Sequence, residues 1–393
     1  MRNRILSSVV AAILLSGIAL VACKDKNKVY YNPREITAPT DVPLTDLHLN
    51  PLDVECFGVK DIIAVDSMIV TFTNDKQAMI KVYDYSGNTI AKLSPSGRAG
   101  NEFVEVYYDD QKTVIDGDRY LYVGDQNGIY LYNLSGSIRN GANLKPKKVL
   151  DRTADWLMPT TWFNAFFRND GSSFQYTGLS WEEQSYRAQL NADGTVSVVA
   201  LDDIEYTYHT PQYVLISADS TITRYDIFND VVRFKDPFLA QSLYNSHVRI
   251  SDDGNKIVAV NCYQDRMTFI DLESGDVFGV RCPDYVDYTK LANIPDAEEL
   301  SKNVIEGAMQ VAMYDKYILV LYNHNTRYED LYQDKTVNTT IRIFTWDGRY
   351  TAQLVPDAPI TNIAIDGNRL IAIDYDEHFY MADITFLKKF PTF

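Results

Sequence analysis

Asp125 together with Asp374, Asp376 and Glu377 offers the kind of oxygen donors that a hard cation wants. Gathered in one place, they would hold calcium, and a calcium-dependent hydrolase or lactonase is the enzyme they would serve. The bland alternative is that a strongly acidic chain brings carboxylates together by chance. A serine hydrolase has less support, because no Gly-x-Ser-x-Gly elbow is present to present a nucleophile. His48, His209, His247, His324 and His378 are scattered, with no His-x-x-x-His pair and no neighbouring cysteine, so they support no metal cluster. Cys56, Cys262 and Cys282 are odd in number and match no zinc spacing. These residues give no catalytic apparatus and no required cofactor.

Cys23 has a different chemistry in prospect, set by what precedes it. Arg2 and Arg4 form a short basic start, Ile5 to Val21 an apolar run, and Leu20-Val21-Ala22 a small-residue junction, which are the three parts of an export signal. The run is only marginally long enough to span a bilayer, so an ordinary membrane anchor is the weaker reading. Leu20-Val21-Ala22-Cys23 resembles the lipobox of bacterial lipoproteins. The resemblance implies cleavage before Cys23 and acylation of that cysteine. One acyl chain holds a protein only reversibly, whereas the two or three chains of a lipoprotein anchor it stably. Lys24 to Thr45 is polar, carries Pro33, Pro39 and Pro43, and reads as a tether. Lys24-Asp25-Lys26, with an acid close behind the cysteine, partly resembles the surface-export signals of Bacteroidetes lipoproteins and points to the outer membrane of the cell envelope. The expected organisation is a signal peptide at 1–22, a lipidated tether at 23–45 and one domain at 46–393.

Removing residues 1–22, which hold two arginines and no acid, takes the formal charge from −16 to −18. Such a domain repels phosphate backbones and shows no basic stripe, so nucleic acid is excluded as a partner. The 28 tyrosines and 17 phenylalanines fit a β-rich chain, since aromatics suit pleated, half-buried surfaces.

A strand–turn–strand signal recurs six times and sets the fold. Its turns fall at Asp66-Ser67, Asp116-Gly117, Asn169-Asp170-Gly171, Asp252-Asp253-Gly254, Asp315 and Asp366-Gly367. Asp-Gly and Asn-Gly pairs supply the positive φ of tight hairpins. A second turn signal follows each first one, as at Ser86-Gly87, Asn133-Leu134-Ser135-Gly136, Asn191-Ala192-Asp193-Gly194, Glu273-Ser274-Gly275 and Asp347-Gly348. Each unit is therefore a four-stranded meander, and repeats of this size are the signature of a propeller blade. Counted at positions 66, 117, 170, 253, 315 and 366, the gaps are 51, 53, 83, 62 and 51 residues. The long gap predicts a hairpin inserted within Asp202 to Asn245, with strands at Gln212–Ser217 and Val231–Phe234; seven blades, one of them degenerate, is the alternative. The 62-residue gap predicts a helix at Asp296–Gly307 with Leu300 and Val304 on one face. The last unit has three strands, and Leu47–Leu52 is expected to supply its fourth beside Phe379–Ile384, closing the ring. In such blades Cys262 and Cys282 lie two strands apart, about 9–10 Å, too far for a disulfide.

Gly97-Arg98-Ala99-Gly100-Asn101-Glu102-Phe103 resembles the Gly-x-Gly-Pro-Gly-Glu-Phe stretch of Bacteroidetes six-bladed propeller lipoproteins, with Ala99 and Asn101 departing from it. The run from Tyr314 through Phe344-Thr345-Trp346-Asp347-Gly348 to Ile371 resembles their TolB-like propeller domain. The resemblance implies an all-β, six-bladed propeller and carries no activity with it.

In a meander, the loops between second and third strands and between blades emerge on one side of the disk, and the short turns on the other. Long polar loops on a rigid scaffold are where binding residues concentrate. The expected binding face therefore holds Arg98, Asn101, Glu102, Asn127, Trp181, Arg266, His324 and Asp376, with the 296–307 helix as a partial lid. The expected function is a membrane-anchored, non-catalytic binding or scaffold module for a glycan, a small nutrient or a partner protein of the envelope. The calcium-dependent hydrolase on the same face is the runner-up. The short-turn side is expected to discriminate little.

Overall fold

A computed structural model describes residues 27–31, 34–97, 99, 102–125, 127–151, 163–168, 172–177, 180–192, 195–209, 212–216, 222–226, 232, 243–294, 297–333 and 335–390. The export signal and Cys23 lie outside these residues. Six antiparallel blades form a six-bladed β-propeller. From inner to outer strand, blade 1 is Val59–Val65, Met68–Thr73, Ile80–Asp84 and Thr89–Leu93, and blade 2 is Tyr107–Ile115, Asp118–Asp125, Gly128–Asn133 and Lys147–Asp151. Blade 3 is Phe163–Phe167, Ser173–Thr177, Gln212–Ile216 and Ile222–Asp226; blade 4 is Ser246–Ile250, Lys256–Asn261, Arg266–Asp271 and Val277–Arg281. Blade 5 is Ala308–Tyr314, Tyr317–Asn323, Thr339–Thr345 and Tyr350–Pro356, and blade 6 is Ile360–Asp366, Arg369–Asp374, Phe379–Asp383 and Asn50–Leu52. The first turns have the backbone their residues suggest, with positive φ at Asp66, Ser67, Asp116, Gly117, Gly254, Asp315 and Gly367.

The insertion belongs elsewhere than the turn signals suggest. Ser180–Leu190 and Val196–His209 form a two-stranded ribbon between the second and third strands of blade 3. Asn191 to Thr195 is thus the tip of this ribbon and not the third turn of a blade, while Gln212–Ile216 is blade 3's own third strand. Val231–Phe234 lies outside the described residues apart from Val232. A hairpin tip and a blade turn need the same positive φ, so the same residues mark both. Asn133 likewise ends a strand but then caps a helix, Leu134–Asn140, its Oδ1 accepting from Gly136 N at 2.6 Å. The helix expected at 296–307 is short, Ala297–Ser301. Leu300 ends in a buried cluster with Tyr244, Tyr263, Tyr288 and Leu291 at the rim of blade 4, and Val304, three residues past the helix, joins it from the following turn rather than from a shared helical face. Among the described residues no helix is long and apolar enough to cross a membrane.

The stretch expected to be a tether is instead a strap. Asn27–Tyr31 pairs parallel with the outer strand of blade 3, Arg34–Thr37 with that of blade 4, and Leu44–Leu47 with that of blade 5. Asn50, Pro51 and Leu52 then pair antiparallel with Met381, Tyr380 and Phe379, closing the ring as expected. Pro39 and Pro43 stand in the hop from blade 4 to blade 5, where no ladder hydrogen bond is required of them. Ion pairs rivet the strap: Glu35 takes Arg266 at 3.0 Å and also Arg281, and Asp357 takes His48.

Each of the six blade-to-blade interfaces has its own apolar cluster. Every residue of Tyr317–Asn323 and Thr339–Thr345 is buried, because a middle strand is covered on both faces by neighbouring blades. Each fully buried Leu, Ile, Val or Phe contributes about 1.5–3 kcal/mol relative to exposure, so these faces dominate stability. Among the described residues, the cluster between blades 2 and 3 has Ile129, Leu150 and Ala165 at its centre. There Gln111 acts as a substitute strand partner, accepting from Phe167 N at 2.8 Å and donating to Phe167 O.

Candidate functional site

Of the residues singled out from sequence, several that the structure describes are turned to structural work. Arg98 and Asn101 lie outside the described residues. Glu102 folds back into its own loop, its carboxylate accepting from Ala99 N at 3.0 Å, while Phe103 plugs the core between blades 1 and 2. Arg266 is buried, 6% exposed, against Glu35 and Thr268, so it is not an exposed binding residue. His324 contacts Thr340 Oγ1 at 2.9 Å, and burial pushes its imidazole below the ordinary range. Trp181 is paired with Tyr208 near the base of the inserted ribbon. Asn127 and Asp376 are exposed in tight turns.

The calcium arrangement is not assembled. Asp125 Oδ1 accepts from Asn127 N and Gly128 N in its own turn, and Glu377 accepts from Gly58 N and Val59 N. Asp374 accepts from His378 N and Tyr380 Oη. Asp125 belongs to blade 2 and Asp374 and Glu377 to blade 6, and each carboxylate is taken up by hydrogen bonds of the fold. Among the described residues no group of three or more His, Cys, Asp or Glu side chains is placed to hold a metal. Cys56, Cys262 and Cys282 are free thiols. Burial pushes the Cys262 thiol up to about 12, which keeps it protonated and unreactive.

Between blades 4 and 5 lies a buried ion cluster that no sequence pattern announces. Arg342, with a side chain 3% exposed, donates to Asp265 at 2.8 and 2.9 Å and to Asp284 at 2.6 Å, and covers the Tyr322 ring. Burial raises the Asp265 carboxyl and Arg342 opposes it. Burial also works against the Arg342 charge, but Asp265 and Tyr322 outweigh it and raise the guanidinium.

A concavity lies on the axis. A cavity of about 1000 Å³ runs between the inner strands and is lined by residues of all six blades. It reaches the short-turn side at Asp252, Asp253, Gly254, Asp315, Gly367 and Asn368. That side was expected to offer little surface, so the expectation is corrected: short turns leave the axis open, whereas long loops can cover it. Deeper in, a polar network crosses the axis. Asp61 Oδ1 accepts from Asn362 at 3.1 Å and Gln310 at 3.3 Å, and Gln310 Oε1 accepts from Arg249 at 2.7 Å. Blades 1, 4, 5 and 6 are thereby tied together. His247 beside it contacts Ala308 O, and burial with the Arg249 charge holds it down to about 4, neutral at pH 7.

The cavity walls differ. Blades 5, 6 and 1 present Ala312, Met313, Ile363, Ile365, Ile62 and Ala64. Blades 2 and 3 present Tyr108, Lys112, Tyr122, Phe167 and Arg168, with the Tyr122 and Phe167 rings stacked at 5.0 Å. Reasoning from sequence missed this site, though a signal was there. The inner strands carry a polar residue four or five positions before the turn that meets the cavity or its network: Asp61, Lys112, Arg249, Gln310 and Asn362.

A family model described as TolB-like 6-blade propeller-like matches residues 200–368. A search of curated proteins finds no match. Among solved structures, the chain is similar to a member of the DUF4221 family from Bacteroides vulgatus, at 9% identity and TM-score 0.48, over 87% of this chain and 97% of that one. It is also similar to a putative exported protein from Bacteroides fragilis, at 11% identity and TM-score 0.45, over 91% and 98%. A luciferin-regenerating enzyme matches at 8% identity and TM-score 0.44, over 85% and 92%.

Proposed function

We propose that this chain is a lipoprotein of the bacterial cell envelope whose propeller is a non-catalytic binding module, with its ligand seated in the axial cavity. The observation that carries the reading is the cavity itself. At about 1000 Å³ it has the size of small-molecule sites, and it combines apolar walls with a few placed polar groups. No histidine or cysteine is among its described lining residues, so the usual base and thiolate nucleophile are not at hand there. Lipid on Cys23 and export to the outer membrane rest on the N-terminal signal and the acid behind the cysteine. A small nutrient or short glycan suits the cavity better than a protein partner, which needs a broad face.

Screening the purified domain against metabolite and glycan libraries by thermal shift tests the binding reading. A ligand whose stabilisation disappears when Met313, in the cavity wall, is changed to Trp supports it. Ligands indifferent to that change, but lost on altering Asn127 or Asp376, would return the site to the loop-rich face. Labelling cells with a fatty-acid analogue tests the anchor: Cys23→Ala should abolish incorporation, and continued labelling would sink that part.

A further inference from the structure

The two cavity walls are unlike in chemistry, and one cation stands out in them. Lys112 lies on the inner strand of blade 2, where the register with the next strand shifts, and it lines the cavity. Its Nζ donates to Ala64 O at 3.1 Å, which leaves two of its three donors facing the cavity. The carboxylates nearest in charge are already held elsewhere. Asp66 is taken by Arg119 at 2.7 and 3.0 Å, and Asp366 accepts from Ser67 N and Tyr85 Oη. Among the described residues no carboxylate is within ion-pair distance of Lys112. Lys112 is exposed on the cavity wall, and the surrounding protein, followed by the Arg119 charge, holds its amine below the ordinary range. Asp366, Asp66 and Asp252 act on Lys112 from beyond ion-pair distance, while its own hydrogen bond goes to a neutral carbonyl, so its ammonium can still meet an anion in the cavity. Arg168, held by Ser172 Oγ and Asn255 Oδ1, adds a second positive group to the same wall. Tyr122 and Phe167 beside them offer a flat apolar surface, and the opposite wall mixes Ala312, Met313, Ile363 and Ile365 with Gln310, Asn368 and Lys388.

We propose that the cavity takes a small amphiphilic anion, one carboxylate or sulfonate on an apolar, partly planar body, and that Lys112 meets its charge. The inference rests on the axial cavity being the binding site. Asp252, Asp253 and Asp315 at the mouth set its selectivity. They repel a long polyanion that would have to lie across the rim, while a single negative group carried inward passes them to reach Lys112. The ligand class thus has the same sign as the net charge of −16 of the whole chain, so its binding depends on the local positive groups of the cavity wall.

The test uses 8-anilinonaphthalene-1-sulfonate and its uncharged counterpart N-phenyl-1-naphthylamine, titrated by fluorescence into the intact protein. The wild type should bind the anionic probe at one saturable site, about tenfold or more tighter than the neutral one. Lys112→Met should weaken the anionic probe by about tenfold and leave the neutral probe within about twofold, while Lys112→Arg keeps the preference. Lys92→Met, on the outside of blade 1, should change neither. Met313→Trp should abolish both. Equal binding of both probes, lost on Met313→Trp but untouched by Lys112→Met, overturns the anion and leaves the cavity standing. Indifference to both substitutions overturns the cavity as well. Absence of saturable binding by the anionic probe overturns the ligand class.

Discussion

Arg342→Met removes the guanidinium from Asp265 and Asp284 while keeping an unbranched side chain over the Tyr322 ring. Asp265 then remains buried with little but the Asp284 backbone N–H, 2.7 Å away, to answer its charge. Breaking a buried pair in this way costs about 3–5 kcal/mol. Protonation sets a ceiling. Starting from the ordinary carboxyl value of 3.8, taking up a proton at pH 7 costs about 4.4 kcal/mol, and at pH 5 about 1.6, at ~1.36 kcal/mol per pH unit. The folded variant holds a proton that the unfolded chain has released, so its stability falls as pH rises above 3.8. The loss relative to wild type should therefore be at most about 4 kcal/mol at pH 7 and shrink below about 2 at pH 5. Urea unfolding followed by fluorescence at the two pH values measures both numbers. Asp284 is better hydrated and adds little. Adding Asp265→Asn to the variant should recover much of the loss, because the stranded charge is then gone. A loss under about 1 kcal/mol at pH 7, or one that does not shrink at pH 5, would refute the reasoning.

Three further outcomes are expected. Deleting residues 46–53 removes the outer strand of blade 6 and should lower the main unfolding transition of the whole ring; an unchanged melting curve would refute closure as a stabilising element. Gly87→Ala should destabilise by roughly 2 kcal/mol or more in urea titration, since φ is +88° there and an added Cβ would stand 1.8 Å from Asp53 O. Glu35→Gln leaves the buried Arg266 without its carboxylate and should loosen the strap, read as faster tryptic cleavage at Arg34; equal cleavage rates would count against the ion pair holding it.

The ring was legible because its turns are chemically constrained. Asp116-Gly117 and Asp366-Gly367 need positive φ, and few residues supply it, so their spacing shows through any sequence. The same constraint misled at Asn191 to Thr195, where a ribbon tip obeys the same rule as a blade turn. The strap was not legible. A strand on the periphery needs only backbone partners, so Arg34-Glu35-Ile36-Thr37 carries no alternation to mark it, and the prolines between its segments read as linker. The loop-rich face drew attention through exposed polar types, yet Arg266 and Glu102 are charges held inside the fold. Lys112 and Gln310 escaped because polar residues in a strand suggest a solvent face, whereas on an inner strand they face the axis.

The strap also dictates an order of assembly. Asn50 and Met381 are neighbours in blade 6 although 331 positions separate them along the chain. Arg34–Thr37 has nothing to lie on until residue 281 is in place, nor Leu44–Leu47 until 356. Blades 1 and 2, built from residues close in sequence, can form early, but the ring must wait for its tail before its head has a seat. Contacts so distant in sequence slow folding, since their entropy is lost before they return anything. The N-terminal segments 34–37 and 44–47 are therefore the last to settle, after the blades they lie on. Pulsed hydrogen exchange during refolding should find the amides of 34–37 and 44–47 protected after those of Met68–Thr73.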